Sequence, residues 1–173
     1  PYVPQSTADL YGVQLQPLDK VLRESDFISI HCSATAETRH IIDSNALGLM
    51  KETALLVNTA RGPAIDGKAL HSALANGQIE AAALDVTEVE PVDAADPLLS
   101  LPNFIVTPHL AGFSPTFLDE CSIKQAENII FALNGQKPHG LANPEVIKTI
   151  AVMRSTNPGR WDGIPDFSTA LRL

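Results

Sequence analysis

The stretch Ala54-Leu55-Leu56-Val57-Asn58-Thr59-Ala60-Arg61-Gly62 decides the fold. It opens with a short, uninterrupted apolar run that reads as a buried strand. The run then ends in polar groups and an Arg. In open parallel sheets, ligands bind beyond the carboxyl ends of the strands, so polar residues at such an end are candidates for chemistry.

The same rhythm recurs on either side. Phe27-Ile28-Ser29-Ile30-His31-Cys32 is a second apolar run ending in polar groups. Ala81 to Val86 and Phe104 to Thr107 supply two further strands, and Tyr11-Gly12-Val13-Gln14-Leu15 is a short candidate strand. Helical segments separate them. Leu18 to Ser25 places Leu18, Val21 and Leu22 at helical spacing, and Asp43 or Ser44 caps a short helix through Met50. Asp66 caps the next helix, with Leu70, Ala73 and Leu74 on one face and Asn76-Gly77 stopping it. Pro115 to Asn134 is the longest helix, and Ala126, Ile129, Ile130 and Leu133 are expected to face a core before Gly135 ends it. Strands alternating with helices predict an α/β fold, a parallel sheet with flanking helices. A domain boundary is expected near residue 140. Beyond it Asn143-Pro144 opens a short helix from Glu145 to Met153, and residues 141–173 are expected to pack on an absent substrate domain or a partner.

The bulk composition narrows the function. The chain has 173 residues, 45% of them hydrophobic, enough for a sizeable core. Its formal net charge of -8 disfavours a surface for nucleic acid or anionic membrane. No apolar run is long enough to span a bilayer. Pro1-Tyr2-Val3-Pro4-Gln5 lacks the regions of a signal peptide, and Cys32 and Cys121 read as reduced thiols in a cytoplasmic protein. No ligand spacing for a metal is present. The chain begins without Met on a proline-rich turn, so a fragment of a longer protein is expected.

The strand ends deliver His31-Cys32, Asn58 to Arg61, Asp85 to Glu90, and His109 to one edge of the sheet. Reduction of a 2-keto acid by a dihydronicotinamide needs three things there. The substrate carboxylate needs a planar cationic fork, which Arg61 supplies. The carbonyl oxygen gains charge as hydride arrives and needs a proton donor working near neutral pH, which suits His109. A carboxylate on the other ring nitrogen, Glu90, would orient the imidazole and stabilise its protonated form. Taken singly, a strand-end Arg is usually a surface ion pair, a lone His a satisfied polar residue, and Glu before Pro part of a loop.

The motifs carry more than the residues singly. Asn58-Thr59-Ala60-Arg61-Gly62-Pro63 with Asp66, then Ala82-Ala83-Leu84-Asp85-Val86 running to Glu90-Pro91, then Asn103 and Thr107-Pro108-His109-Leu110-Ala111-Gly112 resemble the D-isomer-specific 2-hydroxyacid dehydrogenase family. The resemblance covers most of residues 1 to 147 and is nearest to phosphoglycerate dehydrogenase-like members. It implies the second half of a Rossmann-like dinucleotide-binding domain, in a cytoplasmic NAD-dependent oxidoreductase of D-2-hydroxy and 2-keto acids that is expected to be a homodimer. By motif it makes Arg61 the substrate clamp, His109 the acid/base and Glu90 its partner. It places Asp85 on the nicotinamide carboxamide and passes the backbone of Thr59 and Ala60 along the cofactor. His31, Cys32 and Thr38 fall near the adenine-side ribose, and Gly112 near the nicotinamide. Ser33 stands where the family often has Pro, and Phe113 is bulkier than the residue many members carry.

The family's Gly-x-Gly-x-x-Gly turn and the acidic residue after it do not occur in these 173 residues. Pyrophosphate binding at a helix N-terminus therefore cannot come from them, and the residues alone are expected to bind NAD weakly and turn over nothing. Enzymes that prefer NADP place a basic residue right after that acidic position. The first basic residue here is Lys20, which favours NAD. Two other readings compete. Dinucleotide-sensing corepressors reuse this fold with a similar Arg, Glu and His. Formate dehydrogenase relatives usually carry an amide where Glu90 stands.

Overall fold

The computed structural model describes residues 3–134, 136–157 and 159. It divides into two compact units, Pro1–Ala111 and Gly112–Leu173. The first unit is built on four short strands: β1 (Phe27–Ile30), β2 (Leu55–Asn58), β3 (Ala81–Leu84) and β4 (Phe104–Val106). All neighbours pair in parallel, in the order β1-β2-β3-β4. Parallel neighbours need crossovers, and helices supply two of them: α3 (Ser44–Leu49) between β1 and β2, and α4 (Gly67–Ala75) between β2 and β3. Two further helices, α1 (Gln5–Leu10) and α2 (Leu18–Glu24), precede β1.

The helix starts follow from their caps. The Asp43 carboxylate accepts the Ala46 N–H at 2.8 Å to open α3. Asp66 accepts from the N–H groups of Lys68 and Ala69 at the start of α4. Gly77 ends α4 with φ at +66°, a conformation glycine adopts without steric cost. The strands bury alternate residues, so one face of the sheet packs on the helices: Ile28, Leu56 and Ala82 lie under Leu47, Leu70 and Leu74 in one apolar core. Each large aliphatic side chain buried there is worth roughly 1.5–3 kcal/mol. The opposite face is only half-buried, and Phe27 and Ile105 on it are exposed.

Tyr11 to Leu15 is not a strand. Val13 and Leu15 are exposed, and among the described residues no strand lies beyond β1 to give them a ladder. The helix at Gln5–Leu10, which seats Ala8 in a buried position, had no periodic signal in so short a segment.

The second unit holds α5 (Pro115–Leu133) and α6 (Val146–Thr156). Ser114 caps α5 by accepting the Phe117 N–H at 3.0 Å, with Pro115 in its first turn. The Phe131 and His139 rings pack edge to face, and the His139 backbone N–H donates to Asn128 Oδ1 at 2.7 Å. The core face expected on α5 is not buried: Ile129, Ile130 and Leu133 are exposed, and neither helix has a buried residue among those described. Periodicity identifies an apolar stripe, not what covers it. The break between the units falls after Ala111. The tail beyond residue 159 lies outside the described residues.

Candidate active site

The register of the sheet aligns Asn58, Leu84 and Val106 across β2, β3 and β4. The chain segments that leave those three positions carry Arg61, Asp85 to Glu90, and His109. A parallel sheet thus gathers at one edge residues that are far apart in sequence.

Asn58 is fully buried and builds the turn after β2. Its Oδ1 accepts the Ala60 N–H at 2.9 Å, and its Nδ2 donates to the Arg61 carbonyl at 2.9 Å. Arg61 is exposed, donates from Nη1 to the Ala60 carbonyl at 2.7 Å, and has no carboxylate partner among the described residues. Among the described residues it lacks the surface ion pair that a strand-end Arg usually makes. Gly62 follows because nothing larger fits: a Cβ would lie 1.8 Å from the Thr87 carbonyl oxygen. The turn that presents Arg61 therefore rests directly on the loop that carries Glu90.

Asp85 lies just past β3 and is 6% exposed. Its Oδ1 accepts the Thr107 hydroxyl at 2.5 Å and the Leu110 N–H at 2.8 Å, and its Oδ2 accepts the Ala111 N–H at 2.8 Å. The Thr107 hydroxyl, and with it these two amides and nearby His109, holds the carboxyl below the usual carboxylate range against the opposing effect of burial. An ionised carboxylate has about four acceptor positions, so Oδ2 keeps one to offer a further donor.

His109 takes φ of 57°, and its N–H donates to the Asp85 carbonyl at 2.9 Å. Its Nδ1 lies 2.9 Å from Glu90 Oε2, and Glu90 Oε1 accepts the Thr87 N–H at 3.1 Å. The His109 hydrogen bond holds the Glu90 carboxyl below its ordinary value. An ionised carboxylate only accepts, so Nδ1 carries the proton and Nε2 is the ring nitrogen left for proton exchange. A cleft of about 350 Å³ opens beside Glu90 and His109. It shares Asp85, Thr107 and Pro108 with a second cleft of about 330 Å³, whose floor is Val57, Ala83, Leu84 and Ile105 and whose rim includes Thr59.

The other sequence candidates are placed differently. His31, beyond β1, is exposed and bonded through Nε2 to the Ser29 hydroxyl at 2.8 Å. Cys32 is half-buried against the core. Thr38 Oγ1 donates to the Ser33 carbonyl at 2.6 Å and accepts the Thr35 N–H at 2.9 Å, closing its own loop. None of these three lines either cleft. Ala60 is half-buried on the Asn58 turn, and Gly112 belongs to the second unit. Sequence reasoning gave no role to Asn58, Gly62, Thr107 or Glu88. A polar side chain closing an apolar strand was the available signal for Asn58 and Thr107.

The fold and this edge define a class, an open parallel α/β domain of the dinucleotide-binding kind. More narrowly, the chain belongs to the D-isomer specific 2-hydroxyacid dehydrogenase family, whose NAD binding domain matches residues 1–111. It is 47% identical over 137 residues to a glyoxylate reductase of Korarchaeum cryptofilum, covering 79% of this chain and 41% of that protein. It is 41% identical over 144 residues to D-3-phosphoglycerate dehydrogenase of Methanocaldococcus jannaschii, covering 83% and 27%. Among solved structures it is similar to D-lactate dehydrogenase with NAD+ from Lactobacillus jensenii, with TM-score 0.73, 31% identity, and 80% and 46% of the two chains covered. An acyclic imino acid reductase in complex with NADPH and D-Arg gives TM-score 0.68 at 34% identity, over 74% and 40%. The chain thus spans less than half the length of these relatives. No helix among the described residues is long and apolar enough to cross a membrane.

Proposed function

We propose that these residues are the catalytic part of a nicotinamide-dependent oxidoreductase that interconverts a D-2-hydroxy acid and its 2-keto acid. The hydrogen bond between His109 Nδ1 and Glu90, beside a buried ionised Asp85, is the observation that carries this reading. The apolar floor of the Asp85 cleft suits a flat aromatic ring, and the free acceptor position on Asp85 Oδ2 suits a carboxamide N–H. A nicotinamide dinucleotide bound there supplies the hydride in reduction and accepts it in oxidation.

The protein groups do the rest. Arg61 holds the substrate carboxylate through a two-pronged contact, which orients the keto carbon. His109 Nε2 donates a proton to the carbonyl oxygen as that oxygen gains charge, and removes it in the reverse direction. Glu90 holds the ring in the tautomer that leaves Nε2 facing the substrate and stabilises its protonated form. Thr59 and Ala60 line the dinucleotide's path, and Gly112 lies near the nicotinamide. His31, Cys32 and Thr38 flank its adenine-side ribose. NAD is the favoured dinucleotide, because no Lys or Arg stands before Lys20 in this stretch to meet a 2′-phosphate. Residues 1–140 form part of an NAD-binding domain, residues 141–173 are a C-terminal segment that packs on a substrate domain or a partner, and the assembled protein is a cytoplasmic homodimer.

The test is steady-state NADH and NADPH oxidation by the complete protein across a panel of 2-keto acids. Turnover with at least one of them, at higher kcat/KM for NADH, is expected. Tight NADH binding without oxidation by any keto acid would replace this reading with a dinucleotide sensor.

A further inference from the structure

A cluster outside the dyad ties its loop in place. Glu88 stands two residues before Glu90 but takes different partners. Its Oε1 accepts from Arg39 Nη2 at 2.8 Å and from His40 Nε2 at 2.7 Å. These are long-range contacts, bridging 49 and 48 residues. His40 is itself fixed. Its N–H donates to the Pro63 carbonyl at 2.8 Å, and two residues on, Ile42 bridges to Ile65. Its Nδ1 lies 3.9 Å from the Asp66 carboxylate that caps α4. It takes φ of 51°, a left-handed conformation that costs a non-glycine residue on the order of 1–3 kcal/mol and persists where its surroundings enforce it.

Three segments therefore meet at Glu88: the one carrying Arg39 and His40, the turn after Arg61, and the loop from Thr87 to Glu90. That loop has little apolar anchorage of its own, since Val89 is 73% exposed. On its Gly62 side the backbone contact at Thr87 limits how close it comes. On the other side the Glu88 hydrogen bonds hold it down. The carboxyl of Glu88 loses hydration on burial, but His40 and Arg39 more than compensate and keep it ionised.

We infer that Glu88 is a positioning residue that sets Glu90 and His109 in register with Arg61, by clamping the Glu90 loop to Arg39 and His40. The inference rests on the proposed function for its catalytic consequence, though the clamp itself does not. Both donors converge on one oxygen of Glu88, which a Gln side chain retains. Glu88→Gln is therefore expected to keep most of the clamp and Glu88→Ala to lose it.

The experiment uses the complete protein with NADH and its best keto acid, together with nitrogen-15 spectra of the His109 ring, which report the Nδ1 hydrogen bond without turnover. Glu88→Ala is expected to lower kcat on the order of 10- to 100-fold, as misplacement of catalytic groups by about an ångström does. KM for NADH should stay near the parent value, the Nδ1 signature should be lost, and Glu88→Gln should restore both. In a Glu90→Gln background the Glu88→Ala loss should shrink to a few-fold at most. Parent kcat and an unchanged His109 spectrum in Glu88→Ala would overturn the inference. So would an equal loss in both backgrounds, or a Gln variant as damaged as the Ala one. If Glu88→Ala does not fold, His40→Asn takes its place, because Asn tolerates positive φ while lacking the ring's reach to Glu88. A parent inactive on every keto acid whose His109 signature still depends on Glu88 defeats the functional reading and leaves the clamp standing. An active parent whose signature ignores Glu88 does the reverse.

Discussion

Glu90 Oε2 meets His109 Nδ1 at 2.9 Å across 19 residues of sequence, and both lie just beyond adjacent strands, β3 and β4. The contact fixes which ring nitrogen faces solvent and so which one exchanges protons. On the proposed function, His109→Ala in the complete protein is expected to lower keto-acid reduction by roughly 10²–10⁴-fold, the usual contribution of a positioned acid. NADH affinity by fluorescence titration should change little. Reduction within a few-fold of the parent would remove His109 from the mechanism.

Glu90→Gln keeps an oxygen within reach of His109 but removes the negative charge. Hydroxy-acid oxidation needs the ring unprotonated, and losing the charge makes that state easier to reach, so the acid limb of its kcat/KM profile should move to lower pH. For reduction, which needs the protonated ring, the alkaline limb should move to lower pH as well. Rate profiles against pH in both directions provide the check, and superimposable profiles would remove Glu90 from the dyad.

Arg61 offers a guanidinium with no carboxylate partner among the described residues. Arg61→Lys keeps the charge but not the planar fork, and is expected to lose roughly 2–4 kcal/mol of transition-state stabilisation, read from kcat/KM for the keto acid. The loss should fall on the substrate terms and leave KM for NADH near its parent value. A loss confined to NADH binding would contradict the assigned clamp.

Gly62→Ala places a methyl 1.8 Å from the Thr87 carbonyl oxygen, with backbone rather than a flexible side chain in the way. Destabilisation of about 1–3 kcal/mol or more is expected from chemical denaturation, together with lost turnover, because the Arg61 turn and the Glu90 loop are forced apart. A variant as stable and active as the parent would show that the two segments do not bear on each other.

Asp85, Glu88 and Glu90 all have carboxyls held below their ordinary values. Such a group stabilises the fold above its unfolded pKa of about 4, and the contribution disappears as pH falls through the lower folded value. Tm should therefore be insensitive to pH near neutrality, where these groups contribute in full, and should drop steeply below about pH 4. Asp85→Asn should lower Tm near neutrality and make the acid-side drop shallower. An identical acid-side slope in the variant would mean that Asp85 is not one of the groups responsible.

Much of the molecule was legible before any coordinates. The runs at Phe27, Leu55, Ala81 and Phe104 form the four strands because an apolar stretch that short, bounded by turn residues, has few other ways to bury itself. Asp66 was legible as a cap, and Asp43 as one of two candidates with Ser44, because a cap need only reach an N–H two or three residues on. Arg61, Glu90 and His109 were legible as candidates by type and by motif, and Glu90 and His109 are in contact. Direction and cover were not. Thr87-Glu88-Val89-Glu90 presents two carboxylates, and the sequence alone does not send one to His109 and the other to Arg39 and His40. That division depends on the Thr87 N–H and hydroxyl turning the loop, and on partners up to 49 residues away. The exposed stripe on α5 teaches the same lesson, as does the unpaired Tyr11 to Leu15 segment. Local sequence determines what a segment is able to form, through short-range sterics and hydrogen bonds. What it packs against, and which proton its side chains hold, follows from groups brought near only when the sheet is assembled.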